Sequence, residues 1–300
     1  MNFRDILNEI EKADPKVYEQ QSGRRDLLKS FGAKVALAAL PIGLGTLLAP
    51  KKAAARTTGT VIDSLNFALE LAYLQYNFYH TATNTGGLIP NNTANNTIGN
   101  NDLPGFQSIE ANEKAHILFL NTAITSLGGT PFTPNNYVAT NLNPQYVPTA
   151  YDFTKGGAYS LVFSDYQTFL LLAQVFQDTI VRGLKGQITL VTSNTTILTQ
   201  MLQIHSVEAR HASHVRTVRR YTGAAEHPAP WITNDISPSV GFQTNYKGED
   251  NLIETGGIVI NNIPDKYDSS GSVPKISATA AFDETLDNAT VMSFFTPFML

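Results

Sequence analysis

Two segments of this chain, EANEKAH at residues 110–116 and SVEARH at 206–211, each put a glutamate and a histidine where a helix should be apolar. In the second, Ile197, Met201, Ile204, Val215 and Val218 recur at helical spacing, and Glu208 and His211 fill the gaps in that stripe. In the first, the stripe is Ile109, Leu120, Ala123 and Leu127, and the slots within it hold Glu113 and His116. A separation of three residues leaves two side chains on one side of a helix, about 60° apart, so both can reach a common point between helices. Burying four such groups alone would cost several kcal/mol. They are therefore expected to meet a metal ion or one another. Without a metal, Glu113 would pair with His211 and Glu208 with His116 across the helices.

Helical periodicity appears in four blocks, roughly 60–83, 105–127, 165–188 and 195–221. The first two are separated by NTGGLIPNNTANNTIGNNDLPG, a polar surface loop. The last two are joined by a few residues, with SNTT supplying candidate helix caps. Between the second and third lies a connection long enough to run the length of a bundle, so those two helices can lie parallel. This is the topology of a four-helix bundle with one long crossover. After residue 222 the chain is rich in Pro, Gly and Asn, and only DETLDNATVMSFF is amphipathic. The expected division is residues 57–222 as an all-α bundle and 223–300 as an irregular wrap docked through Trp231 and the terminal phenylalanines.

On the segments LNFALELAYLQYNFY, EANEKAHILFL, FLLLAQVFQDTIV and HSVEARHASHVR, the chain resembles the ferritin-like superfamily from about residue 60 to 220. The nearer resemblance is to bacterial exported ferritin-like domain proteins of the desiccation-related type. In metal-binding members of that superfamily, helices one and three each add a Glu to the two Glu-x-x-His pairs, and two bridged ions result. This chain departs from that pattern. Counting back from Tyr79 puts the helix-one position at Ala72, with Gln75 in a neighbouring polar slot, and the helix-three position falls at Gln177 on the stripe Leu170, Ala173, Ile180, Leu184. Glu70 shares a face with Asp63, Asn66, Asn77 and His80, which reads as a solvated side, and Asp178 is turned about 100° from Gln177. Neither is expected to be a ligand.

Four carboxylates offset two divalent ions, whereas Glu113 and Glu208 offset one. The expected site is thus Glu113, His116, Glu208 and His211, with Gln75 and Gln177 as weak additional ligands, holding at most one Fe, Mn or Zn ion or none. That favours a stress-protective or structural protein over an enzyme. The rival is an iron or manganese oxidoreductase or metal-handling protein that tolerates the two glutamines, and a partner-binding role for the long loops is a third reading. His205 and His214 read as rim residues, and Tyr73, Tyr76 and Tyr79 as core aromatics.

Composition narrows the remaining classes. There is no cysteine, so no thiolate site, and the net charge of −4 argues against nucleic acid as a partner. The clustered basic residues lie at the N-terminus. There, Arg24 and Arg25 with Leu27, Leu28 and Lys29 resemble a twin-arginine export signal, with Gly23 in place of Ser. VALAALPIGLGTLLAP follows, too short and too broken for a membrane span of about 20 residues. Residues 1–56 are therefore expected to be a signal and linker, with Ala53 to Ala55 as a cleavage region, and the only membrane contact. The alternative is a basic helix leading into a buried one. The mature chain is expected in the periplasm or envelope, with a homodimer compatible with the long tail.

Overall fold

A computed structural model describes residues 60–137, 146–225, 227–233, 238–239, 241–254, 258–260 and 274–300. The proposed signal segment lies outside the described residues. Those that are described fall in one unit, Lys52–Leu300. Its frame is four helices: α1 (Val61–Thr83), α2 (Leu103–Ser126), α3 (Tyr166–Gln187) and α4 (Thr195–Tyr221). Their starts carry the expected chemistry. Side-chain oxygens of Thr60, Asp165 and Asn194 accept from the backbone N–H groups of Asp63, Thr168 and Ile197, at 3.1, 2.7 and 3.1 Å. Pro104 sits in the first turn of α2, where no N–H is needed.

Residue pairings fix the directions. Between α1 and α2, His80 meets Glu110 and Gln75 meets Glu113, and Asn66 reaches Thr130 just beyond α2, so these helices are antiparallel. Between α3 and α4, Asp178 meets Arg216 and Gln174 meets Arg219; between α1 and α3, Gln177 meets Gln75. Both α2 and α3 thus oppose α1, with Phe67 near Gly183 and Phe78 stacked on Phe169, and α2 runs parallel to α3 as the long crossover requires. The expected mostly helical bundle is what the chain forms.

The α1 face expected to be solvated is covered at two of its five polar positions, while Asp63, Glu70 and His80 stay part-exposed. Asn66 and Asn77 are fully buried. Asn66 donates to Thr130 O at 3.1 Å and accepts from Phe132 N at 2.6 Å, and Asn77 Oδ1 accepts from Val147 N at 2.7 Å. These amides satisfy backbone groups of the crossover at Thr130, Phe132 and Val147. Phe132 and Tyr137 then pack on Tyr73, and Phe153 on Phe78. Leu127, counted with the α2 stripe, ends the helix and is 38% exposed.

Among the described residues beyond α4 are three short α-helices, α5 (Gln243–Tyr246), α6 (Lys275–Thr279) and α7 (Asn288–Phe295), and an antiparallel ribbon of two-residue strands, β1 (Ile253–Glu254) and β2 (Ile258–Val259). The terminal phenylalanines dock as expected: Phe294, Phe295 and Phe298 surround Phe176 of α3 at ring distances of 5.1–5.8 Å. Trp231 does not. The residue is 56% exposed, and its carbonyl accepts from Arg216 Nη1 at 3.2 Å. Two buried arginines do the anchoring. Arg182 donates to the carbonyls of Glu284, Asn245 and Lys247 and pairs with Glu249. Arg216 pairs with Asp178, which also accepts from Tyr246 Oη at 2.6 Å.

Candidate metal centre

Midway along the bundle, α2 supplies Glu113 and His116, and α4 supplies Glu208 and His211. The carboxylates are buried to within 2% of full cover, whereas the side chains of His116 and His211 keep 12% and 6% exposure. Each imidazole turns Nδ1 inward. His116 Nδ1 lies 3.0 Å from Glu208 Oε1 and 3.4 Å from Glu113 Oε2. His211 Nδ1 lies 3.2 Å from Glu113 Oε1 and 3.4 Å from Glu208 Oε2. The cross-bundle pairing expected of a metal-free centre is thus present.

Toward α1 and α3 the centre is closed by amides. Gln75 Nε2 donates to Glu113 Oε2 and Glu208 Oε2 at 3.3 and 3.2 Å, and Gln177 Nε2 donates to Gln75 Oε1 and Tyr79 Oη. Gln75, and not Ala72, therefore faces the centre from α1; Ala72 lies three residues back on the same helix. Glu70 and Asp178 are not brought in, and Asp178 is buried in its own ion pair with Arg216. His205 and His214 stay outside the cluster; the His214 ring lies over Gly105 and against Phe106. Tyr73 and Tyr76 are core aromatics as expected.

On the α2–α4 side two clefts reach the imidazoles. One, of about 240 Å³, is lined by Ile109, Asn112, His211 and His214 among others, and the second, of about 190 Å³, by His116, Phe119, Gln200 and Ile204 among others. Asn112 was missed by the sequence reading. Its Nδ2 lies 3.1 Å from His211 Nε2, and an asparagine beside a buried glutamate carries no signal of that contact.

Electrostatics separate the two acids. Burial raises the Glu113 carboxyl, and the Glu208 charge raises it further. Burial also opposes the Glu208 charge, yet hydrogen bonds from His116 and His211 outweigh it and hold that carboxyl below its usual range. For the imidazoles burial again opposes charge, but the bonds to Glu113 and Glu208 win and push His116 up to about 10 and His211 up to about 9. Both folded values exceed the unfolded value of about 6.5. Their stabilising contribution is therefore complete below about pH 6.5 and lost as pH rises through about 9 to 10. Metal-free protein is expected to show a falling urea midpoint across that range; a flat profile would mean that the imidazoles are neutral at pH 7.

Glu113, Glu208 and His211 could hold a single ion, and His116 is not part of that group. Ligand atoms about 2.1 Å from a common ion, at right or tetrahedral angles, lie about 3.0–3.4 Å apart, which is the range of the N···O separations here. Glu113, Glu208 and His211 each offer an atom within 4.8 Å of the others. Glu113 Oε1 is buried with no aligned hydrogen-bond donor, although His211 Nδ1 is near. The family model described as a ferritin-like domain matches residues 60–220. Neither a curated protein nor a solved structure matches the chain.

Proposed function

From the premise that the chain belongs to the ferritin-like domain family, we propose that its bundle binds one divalent iron, manganese or zinc ion through Glu113, His116, Glu208 and His211. The observation that carries this reading is the inward turn of both Nδ1 atoms toward two carboxylates, with amides where further carboxylates would be needed for a second ion. Two carboxylates, both sealed from bulk water, balance one divalent charge. The imidazoles must give up their Nδ1 protons to act as ligands, and the clefts beside them give those protons a way out. Once bound, the ion supplies a charge-neutralising link between α2 and α4.

This makes the protein an ion-holding and structural component, with little oxidative chemistry of its own. The twin-arginine-like N-terminus, with Arg24 and Arg25, supports a periplasmic or envelope location for this reading, and with it a stress-protective role of the desiccation-related kind. Among the described residues, no helix is long and apolar enough to cross a membrane. The test is metal content after loading with ferrous iron in air, then with manganese and zinc. One ion per chain is expected, with a raised melting temperature. Two irons per chain with sustained oxygen consumption would replace this reading by the oxidoreductase one.

A further inference from the structure

The two imidazoles of the centre differ in how firmly they are held. His211 is engaged at both nitrogens: Nδ1 faces the carboxylates, and Nε2 lies 3.1 Å from Asn112 Nδ2. His116 is engaged at Nδ1 alone, and among the described residues its Nε2 has no hydrogen-bond partner. Its side chain is also the more exposed, at 12% against 6%. The groups whose donor atoms lie within 4.8 Å of one another are Glu113, Glu208 and His211. An ion can therefore be gripped by those three while the His116 ring is turned aside.

The clefts beside the two rings differ in the same sense. The one at His211 has Arg210 in its wall, and a fixed positive charge there repels an arriving cation. The one at His116 is walled by Phe119, Gln200, Gln203, Ile204 and Val207, with neither Lys nor Arg. Gln200 adds a further feature, for its Oε1 is buried without a hydrogen-bond partner among the described residues. An amide carbonyl is an oxygen donor that divalent ions accept as they shed water. Gln200 also precedes Glu208 by two turns of α4, about 12 Å along the axis, so a cation held there is still outside the centre.

We infer that divalent cations reach the centre through the cleft beside His116, with the Gln200 carbonyl as a staging ligand and His116 as the ligand that turns aside and closes last. This rests on the single-ion reading above. With the ring turned out, Glu113 and Glu208 face the cleft, and their charge draws the cation in. On the other side Asn112 tethers the ring and Arg210 opposes entry, so that route stays shut.

The experiment is stopped-flow mixing of the metal-free full chain with Zn²⁺ to measure uptake, and addition of excess chromophoric chelator to measure release. Gln203 is exposed, so Gln203→Trp fills the cleft beside His116 without opening the core. It is expected to slow uptake and release alike, by about tenfold, and so to leave the affinity unchanged. Gln200→Leu removes the staging oxygen and is expected to slow both by about threefold. Arg210→Glu is expected to change uptake by less than about twofold at about 0.15 M salt, where charges are screened beyond about 8 Å. Faster uptake in Arg210→Glu with no effect of Gln203→Trp would put the route at His211, overturning the inference and leaving the single-ion reading standing. Unchanged rates in all three variants overturn it too, as does a Gln203→Trp protein that loses affinity at an unchanged release rate. Failure of the unsubstituted protein to bind Zn²⁺ overturns both readings.

Discussion

Asp178→Ala is expected to lower the unfolding free energy by about 3–5 kcal/mol, because it strands a guanidinium inside the protein. Arg216 is 5% exposed, and its Nε and Nη2 meet the two carboxylate oxygens of Asp178 at 2.8 and 2.5 Å. Tyr246 donates to the same carboxylate, so the hydroxyl loses its acceptor as well. Arg216 also holds the carbonyls of Ala229 and Trp231, and a displaced side chain would release that stretch from α4. Asp178→Asn keeps an acceptor while removing the charge and should cost less. Urea unfolding followed by far-ultraviolet circular dichroism measures both. A loss for the alanine variant below about 1 kcal/mol would mean that water reaches Arg216 and that the pair is not buried in effect.

Glu113→Gln should have the opposite profile, with a large loss of binding and little change in the metal-free fold. Glu113 is fully buried, its carboxyl is raised by burial and by the Glu208 charge, and one of its oxygens lacks an aligned donor. An amide of the same shape removes the repulsion from Glu208 but also the charge that His211 and His116 face, two opposed effects, so metal-free stability is expected to change far less than ion affinity. Ion affinity should fall by more than about 100-fold, since loss of outer partners alone costs about 10- to 100-fold. Competition against a chromophoric chelator gives the affinity, and a melting curve in chelator gives the stability. Equal falls in both would identify Glu113 as a packing residue of the bundle.

The bundle was legible because helices leave a period in the sequence. The four blocks end within two residues of their expected bounds, and Glu113, His116, Glu208 and His211 meet because each occupies a slot in an apolar stripe. What lacked a period was misread. The polar stripe of Asn66 and Asn77 looks like a wetted surface, and only the path of the irregular crossover reveals that it binds backbone. Counting from Tyr79 pointed at Ala72, yet the side chain long and polar enough to reach the carboxylates is Gln75. Trp231 looked like an anchor by its size, whereas the anchors are arginines that grip carbonyls, a function with no local sequence signature.

The uneven cover of the four central side chains bears on kinetics. Both acids are sealed, and only the two imidazole rings touch solvent, each at the foot of its own cleft. On the proposed single-ion reading, a swing of one ring about its Cα–Cβ bond would open a way in without any helix parting from its neighbour. Traffic of ions should then keep the pace of side-chain rotation, and substitutions that merely toughen the scaffold should leave that pace untouched.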